Sequence, residues 1–196
     1  MFLAAQQTEP DTDHRLEESS LALSAQHDPD AFIELYRRYV DAVFRYCYRR
    51  LESVESAEDA TSQVFERALR SIPQYRGGSF RAWLFRIAYT TVVDTWKRRQ
   101  PIAPGIDPDL TDPDPTPEQR ALQRESGQNV QQLLDKLSEE QARVVELRLA
   151  GLKGPEIAEA MNRTPESVRM LQYRAMERLR HHLEPDDHAE ASDDPR

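Results

Sequence analysis

The stretch GPEIAEAMNRTPESVRMLQYRAMERLRHH, residues 154–182, decides how this chain reads. Pro155 opens a short helix holding Ile157, Ala158 and Met161. Asn162-Arg163 makes a turn, and asparagine tolerates the left-handed backbone that such a turn needs. Thr164 is placed to cap a longer helix whose first residue is Pro165. In that helix Val168, Leu171, Ala175 and Leu179 recur at helical spacing and face a core. Glu166, Arg169, Met170, Tyr173, Arg174 and Arg178 point elsewhere. A short helix, a tight turn and a longer helix with outward arginines is the geometry that enters a major groove. Arg169 can bond a guanine bidentately and Glu166 can accept from cytosine. Arg174, Arg178 and Lys153 suit phosphates, which set affinity rather than sequence. The plainer alternative is a helical hairpin with a solvated charged face; the order of cap, turn and cap favours the groove reader.

Upstream, Ser138-Glu139-Glu140-Gln141 has capping-box spacing and precedes Val144, Val145, Leu147 and Leu149, with Gly151 ending that helix. These elements define a unit over 133–183. Residues from about 119 to 136 look helical and lead into it. Residues 101–118 hold six prolines and four aspartates, too little apolar area to fold alone, so 101–132 reads as an acidic linker.

A second block covers 28–100. Asp28-Pro29 starts a helix carrying Phe32, Leu35, Tyr36, Tyr39, Val43 and Cys47. Another is expected to start after Ser56, with Glu58 and Asp59 in its first turn, and to stop before Pro73. A loop at 74–78 follows. Ser79 caps a third helix with Phe80, Trp83, Leu84, Ile87, Ala88, Thr91 and Val92 on one face. Lys97-Arg98-Arg99 closes it before Pro101. No strand pattern is present. The expected class is all-α: two small helical domains, 28–100 and 133–183, joined by the linker, with an extension at 1–27 and an acidic tail at 184–196.

The net charge of −9 is unevenly spread. Residues 28–100 carry 13 basic and 10 acidic side chains, and residues 133–183 carry 9 and 8. The acid lies in the ends and the linker, and distribution decides binding to a polyanion. No apolar run approaches the roughly 20 residues of a membrane span. The start shows no signal-peptide pattern. Cys47 alone makes neither an internal disulfide nor a cysteine-rich zinc site. The five histidines have no triad or ligand partner at a telling spacing, and there is no glycine-rich phosphate loop. The expectation is a cytoplasmic protein that is no enzyme, with no cofactor, no metal and no small-molecule substrate.

The third helix of the first block combines Tyr75, Phe80, Trp83, Phe85, Tyr89 and Trp96 with Arg76, Arg81, Arg86 and Lys97 to Arg99. Aromatic and basic side chains together suit single-stranded DNA, where bases stack and phosphates pair. Phe80, Trp83 and Ile87 lie on the apolar stripe and read as packing; Tyr75, Tyr89 and Trp96 are open to either role.

Residues 28–100 resemble the second conserved region of bacterial sigma factors. "AEDATSQVFERAL" (57–69) is similar to the segment that binds the polymerase clamp, and "YRGGSFRAWLFRIA" (75–88) with "VVDTWKRR" (92–99) to the segment that opens promoter DNA. Residues 133–183 resemble the fourth conserved region, and the two-part layout resembles the extracytoplasmic-function (ECF) sigma factors. The resemblance implies core RNA polymerase, promoter DNA and an anti-sigma factor as partners. It implies polymerase contacts at Asp59, Gln63 and Phe65, with Phe65 equally readable as packing. It implies minus-ten contacts at Tyr75, Arg76, Ser79, Arg86, Tyr89, Thr90, Trp96 and Lys97. It implies minus-thirty-five contacts at Thr164, Glu166, Ser167, Arg169, Met170, Tyr173, Arg174 and Arg178. Two departures stand out. Tyr89-Thr90 replaces a common arginine-asparagine pair, and Met161-Asn162 replaces the usual leucine-glycine turn. The serious alternative is an ordinary helix-turn-helix regulator, for which residues 57–88 have no evident use. A third is an interaction adaptor.

Overall fold

The structure, a computed structural model, describes residues 10–99 and 132–183. In chain order it contains α1 (Pro10–Ser24), α2 (Pro29–Leu51), α3 (Val54–Ser71), a 3-10 turn (Ile72–Gln74), α4 (Phe80–Arg99), α5 (Glu139–Leu149), α6 (Gly154–Met161) and α7 (Pro165–Leu183). The described residues hold no strand, and the all-α expectation stands. The linker through 131 and the tail from 184 lie outside them. Of the helix expected over 119–136, only a helical turn at 132–134 is described.

Helix starts follow local chemistry. Asp28 accepts a bond from the Asp30 backbone N–H at 2.9 Å and opens α2. Helix α3 begins earlier than expected: Ser53, not Ser56, is the cap, and its hydroxyl accepts from the Ser56 N–H at 3.3 Å. An acceptor one turn upstream is enough to start the helix there, leaving Ser56 buried inside it. The expected capping box of α5 is present, with Ser138 N–H donating to Gln141 Oε1 at 3.0 Å and Gln141 N–H to Ser138 Oγ at 3.4 Å. Asn162 has φ 52°, the left-handed turn that its side chain tolerates.

The core joins Leu35, Tyr39, Val43, Tyr46 and Cys47 of α2 to Ala60, Val64 and Phe65 of α3 and to Phe80, Leu84, Phe85 and Val92 of α4. The Tyr46 and Phe85 rings meet edge to face at 5.5 Å. Burial pushes the Cys47 thiol up to about 11, so it stays neutral.

Helix α4 departs from the expected single stripe. Phe80, Ala82, Leu84, Phe85, Ala88, Thr91 and Val92 are all buried, while Trp83 and Ile87 are half-buried. The reason is its position: α2 and α3 pack against it, and so does α6 from the second half of the chain. The buried cluster therefore runs unbroken from α2–α4 into Val144, Leu147, Leu152, Ile157, Ala158 and Val168.

Helix α1 was not expected. Ala22 and Ala25 are buried, and Glu18 accepts from the Arg81 backbone N–H at 2.9 Å, in the first turn of α4. A carboxylate there also faces the positive end of the helix dipole. Its buried apolar residue is the small Ala22 while Leu16 and Leu23 are exposed, so the apolar pattern is faint and the helix is hard to see in the sequence.

Candidate nucleic-acid interface

Two surfaces carry the candidate residues, and they differ in access. Helix α7 turns by about 100° per residue, so Glu166, Arg169, Met170 and Tyr173 share one stripe opposite buried Val168 and Ala175. Met170 is 46% exposed and Tyr173 60%. Leu171 and Leu179 are half-buried on the core side, as expected. Arg174 and Arg178 are exposed beside the stripe. Thr164 Oγ1 accepts from the Ser167 N–H at 3.2 Å and so caps the helix; Ser167 is half-buried. The turn is tied back to α5 by an Arg163–Glu140 ion pair.

The α4 surface is mixed. Trp96 is 55% exposed, and Arg76, Arg86, Thr90 and Lys97 are also exposed. The Arg76 guanidinium donates to the carbonyls of Pro73 at 2.9 Å and Tyr75 at 3.3 Å, which holds the loop's shape. Thr90 Oγ1 donates to the Ile87 carbonyl of its own helix.

Three candidates, Tyr75, Ser79 and Phe65, are buried in this structure. Tyr75 is buried, its ring edge-on to Phe80 and Trp83 and its hydroxyl donating to the Gly78 carbonyl at 2.8 Å. It braces the loop from inside. Ser79 is also buried: its hydroxyl accepts from the Ala82 N–H at 3.1 Å and donates to Glu156 at 2.9 Å. Phe65 is buried with its ring 4.7 Å from that of Tyr36, so it packs. Asp59 remains exposed on α3, with Gln63 half-buried one turn on.

The second half of the chain lies over this surface. Glu159 receives the Ser79 backbone N–H at 3.2 and 3.3 Å through its two carboxylate oxygens, and the Glu159 carbonyl accepts from Arg86 at 3.4 Å. Arg81 donates to the Gly151 carbonyl at 2.9 Å. Tyr89, a half-buried candidate, donates its hydroxyl to Glu139 at 2.7 Å. Its ring carries the Arg143 guanidinium at 3.5 Å and that of Arg50 at 5.8 Å. Partial burial and the bond to Glu139 raise the Tyr89 phenol above its ordinary value, against the pull of Arg143.

Glu146 is the residue that the sequence reading passed over. It is 1% exposed and paired with Arg50 at 2.8 Å. Burial pushes its carboxyl up, and Arg50, Arg49 and Arg143 pull it back down. The signal was available: Glu146 lies one turn after buried Ala142 and just before Leu147, so a carboxylate had to face the interior and find a cation.

Comparison with known proteins bears on these surfaces. Residues 35–102 match Sigma-70 region 2, and residues 127–179 match Sigma-70, region 4. The chain is 32% identical over 163 residues to ECF RNA polymerase sigma factor SigD of Mycobacterium tuberculosis, covering 78% of this chain and 77% of that protein. The chain belongs to the ECF RNA polymerase sigma factors. Within this family it is 37% identical to BldN of Streptomyces coelicolor over 82% of its length, and 34% identical to SigE of Mycolicibacterium smegmatis over 76%. It spans 62% and 60% of the lengths of those two relatives. Among solved structures, CnrH in complex with the cytosolic domain of CnrY shares the fold, with TM-score 0.69 at 22% identity, covering 87% of this chain and 99% of that one. No described helix is long and apolar enough to cross a membrane.

Proposed function

We propose that this chain binds core RNA polymerase and directs it to promoters, without a catalytic role of its own, inside the cell. The observation that carries this reading is the open stripe of Glu166, Arg169, Met170 and Tyr173 on a capped helix behind a left-handed Asn162 turn, in a chain of this family. That stripe reads the minus-thirty-five element by base edges, with Arg174 and Arg178 on phosphates and Thr164 and Ser167 at the helix start. Arg76, Arg86, Tyr89, Thr90, Trp96 and Lys97 form the minus-ten surface, and Asp59 with Gln63 the polymerase contact. The working division is 28–100, the linker 101–132 and 133–183. An anti-sigma factor is the expected inhibitor.

Energies limit what the chain does alone. Separating duplex DNA costs about 1.4 kcal/mol per base-pair step. Stacking one base on an aromatic side chain returns about 1–3 kcal/mol. Trp96 and Tyr89 account for one or two trapped bases, so opening a bubble needs the polymerase. Run-off transcription with bacterial core polymerase on a candidate promoter tests the proposal. Transcripts that depend on this chain, with no melting of the duplex by the chain alone, are expected. No dependence and no co-elution with core enzyme would sink it.

A further inference from the structure

The loop that carries Arg76 has little to fix its shape from within. Gly77 and Gly78 follow one another at φ +93° and +96°, and glycine is the residue with the most backbone freedom to lose. Two donors meet on the Tyr75 carbonyl at the start of this loop, the Arg76 guanidinium at 3.3 Å and the Gln26 side-chain amide at 2.8 Å. A carbonyl oxygen has two lone pairs and takes both. Gln26 comes from outside the loop, 49 residues upstream, in the turn between α1 and α2. That turn is itself fixed: the Gln26 N–H donates to the Leu23 carbonyl at 3.3 Å, and the N–H groups of His27 and Asp28 both donate to the Ser24 carbonyl at 3.0 Å. Ser19 of α1 flanks the same loop. Its Oγ lies 3.4 Å from the Tyr75 hydroxyl, and a Cβ on Gly77 would be 3.8 Å from it. Glu18 beside it holds the Arg81 N–H in the first turn of α4. Helix α1 and the turn after it thus run along the loop from Tyr75 to the start of α4. Glu18, Ser19 and Gln26 all lie before the stretch 35–102 that matches region 2.

The two donors on Tyr75 differ in what they can do next. Arg76 is exposed, and a guanidinium gains more on a phosphate or a base edge than on a neutral carbonyl. Turning to DNA takes a donor away from the carbonyl of a buried residue, which costs free energy. Gln26 stays on that carbonyl and offsets the cost. We infer that Gln26 is a positioning residue for minus-ten recognition: it holds the loop in shape while Arg76 leaves Tyr75 for DNA. This inference rests on Arg76 belonging to the minus-ten surface. Gln26 acts through Arg76 and touches no base itself. Without the Gln26 amide, more of the carbonyl's bonding falls to Arg76, which is then held back from DNA. Ser19 assists from α1 at the longer distance, so its share is the smaller.

The test uses the full chain assembled with bacterial core polymerase. The template is a promoter library with the minus-thirty-five element fixed, the minus-ten element randomised and a barcode in the transcribed part. Sequenced run-off transcripts give the base preference at each minus-ten position. Gln26→Met keeps the side-chain length and removes the amide; it is compared with Arg76→Ala and with the double variant. Gln26→Met should weaken the preference about two- to tenfold, the range of one hydrogen bond, at the position where Arg76→Ala weakens it and not elsewhere. The double variant should match Arg76→Ala alone, because Gln26 acts through Arg76. A merely structural role would lower output on every minus-ten sequence alike, or add to Arg76→Ala; either result overturns the inference. If Arg76→Ala changes the profile and Gln26→Met does not, the inference alone falls. If Arg76→Ala leaves the profile unchanged, the minus-ten role of Arg76 falls and the inference with it. Should Gln26→Met fail to fold, Gln26→Asn carries the test with the same outcomes, since its amide is one methylene too short for the 2.8 Å contact.

Discussion

Helices α4 and α7 are of similar length, and both carry candidate DNA contacts, but they are built differently. Helix α7 buries Val168 and Ala175 and half-buries Ser167, Leu171, Gln172 and Leu179, so its opposite face, with Glu166, Arg169, Met170 and Tyr173, is free for recognition. Helix α4 is packed from several sides, and the residues left for contact lie mainly toward its C-terminal half and at isolated points such as Arg86. A helix on the rim can separate folding from reading; a helix in the middle cannot. Substitutions on α4 therefore report on stability first and on DNA second, whereas those on the α7 stripe report on DNA alone.

The largest expected effect follows directly. Phe85→Ala removes a fully buried ring from against Tyr46. It should cost about 3–5 kcal/mol, a large share of a small domain's stability. Tyr173→Ala, 60% exposed, should stay within about 0.5 kcal/mol. Urea denaturation of both variants checks this, and equal losses would erase the distinction between the helices.

Recognition should show the opposite pattern. Arg169→Ala should cost about 1–3 kcal/mol of discrimination at one base pair, leaving the melting temperature unchanged. Arg178→Ala, to one side of the stripe, should weaken duplex binding about equally for all sequences and lower the salt dependence. Competition binding against a randomised upstream element separates the two. If Arg169→Ala and Glu166→Ala alter base preference no more than Arg178→Ala does, the stripe is misassigned.

The same contrast explains what could be read in the sequence. The helix-turn-helix was legible to within one residue because each signal is local: a cap, a turn residue and an apolar spacing. The capping box at Ser138 and the Asp28-Pro29 start were legible for the same reason. What escaped depends on distant partners. Tyr75 and Ser79 look like loop residues until Phe80, Trp83 and Glu156 close over them. Phe85 looks free on a one-sided helix and is buried because α4 has neighbours on several sides. Helix α1 is held by Glu18 on an N–H of Arg81, 63 residues away, which no local pattern encodes. Glu146 is the intermediate case, since its place in the apolar pattern demanded a partner without saying which.

The caps give the finest comparison, since each helix starts on a hydroxyl with a different surrounding. Thr164 is exposed and caps Ser167 alone, so Thr164→Ala should cost about 0.5–1 kcal/mol, water replacing the lost acceptor. Ser79 is buried and does two things, accepting from Ala82 and donating to Glu156. Ser79→Ala leaves a backbone N–H short of its partner away from water and takes one donor from a part-buried carboxylate, so its cost should be the larger, about 1–2 kcal/mol. A double-mutant cycle between Ser79→Ala and Glu156→Gln divides the two parts. A coupling energy above about 0.5 kcal/mol assigns the excess to the contact between the halves of the chain. Coupling near zero with a full loss in the single variant would place the whole effect in the cap, and the two helix starts would then differ only in burial.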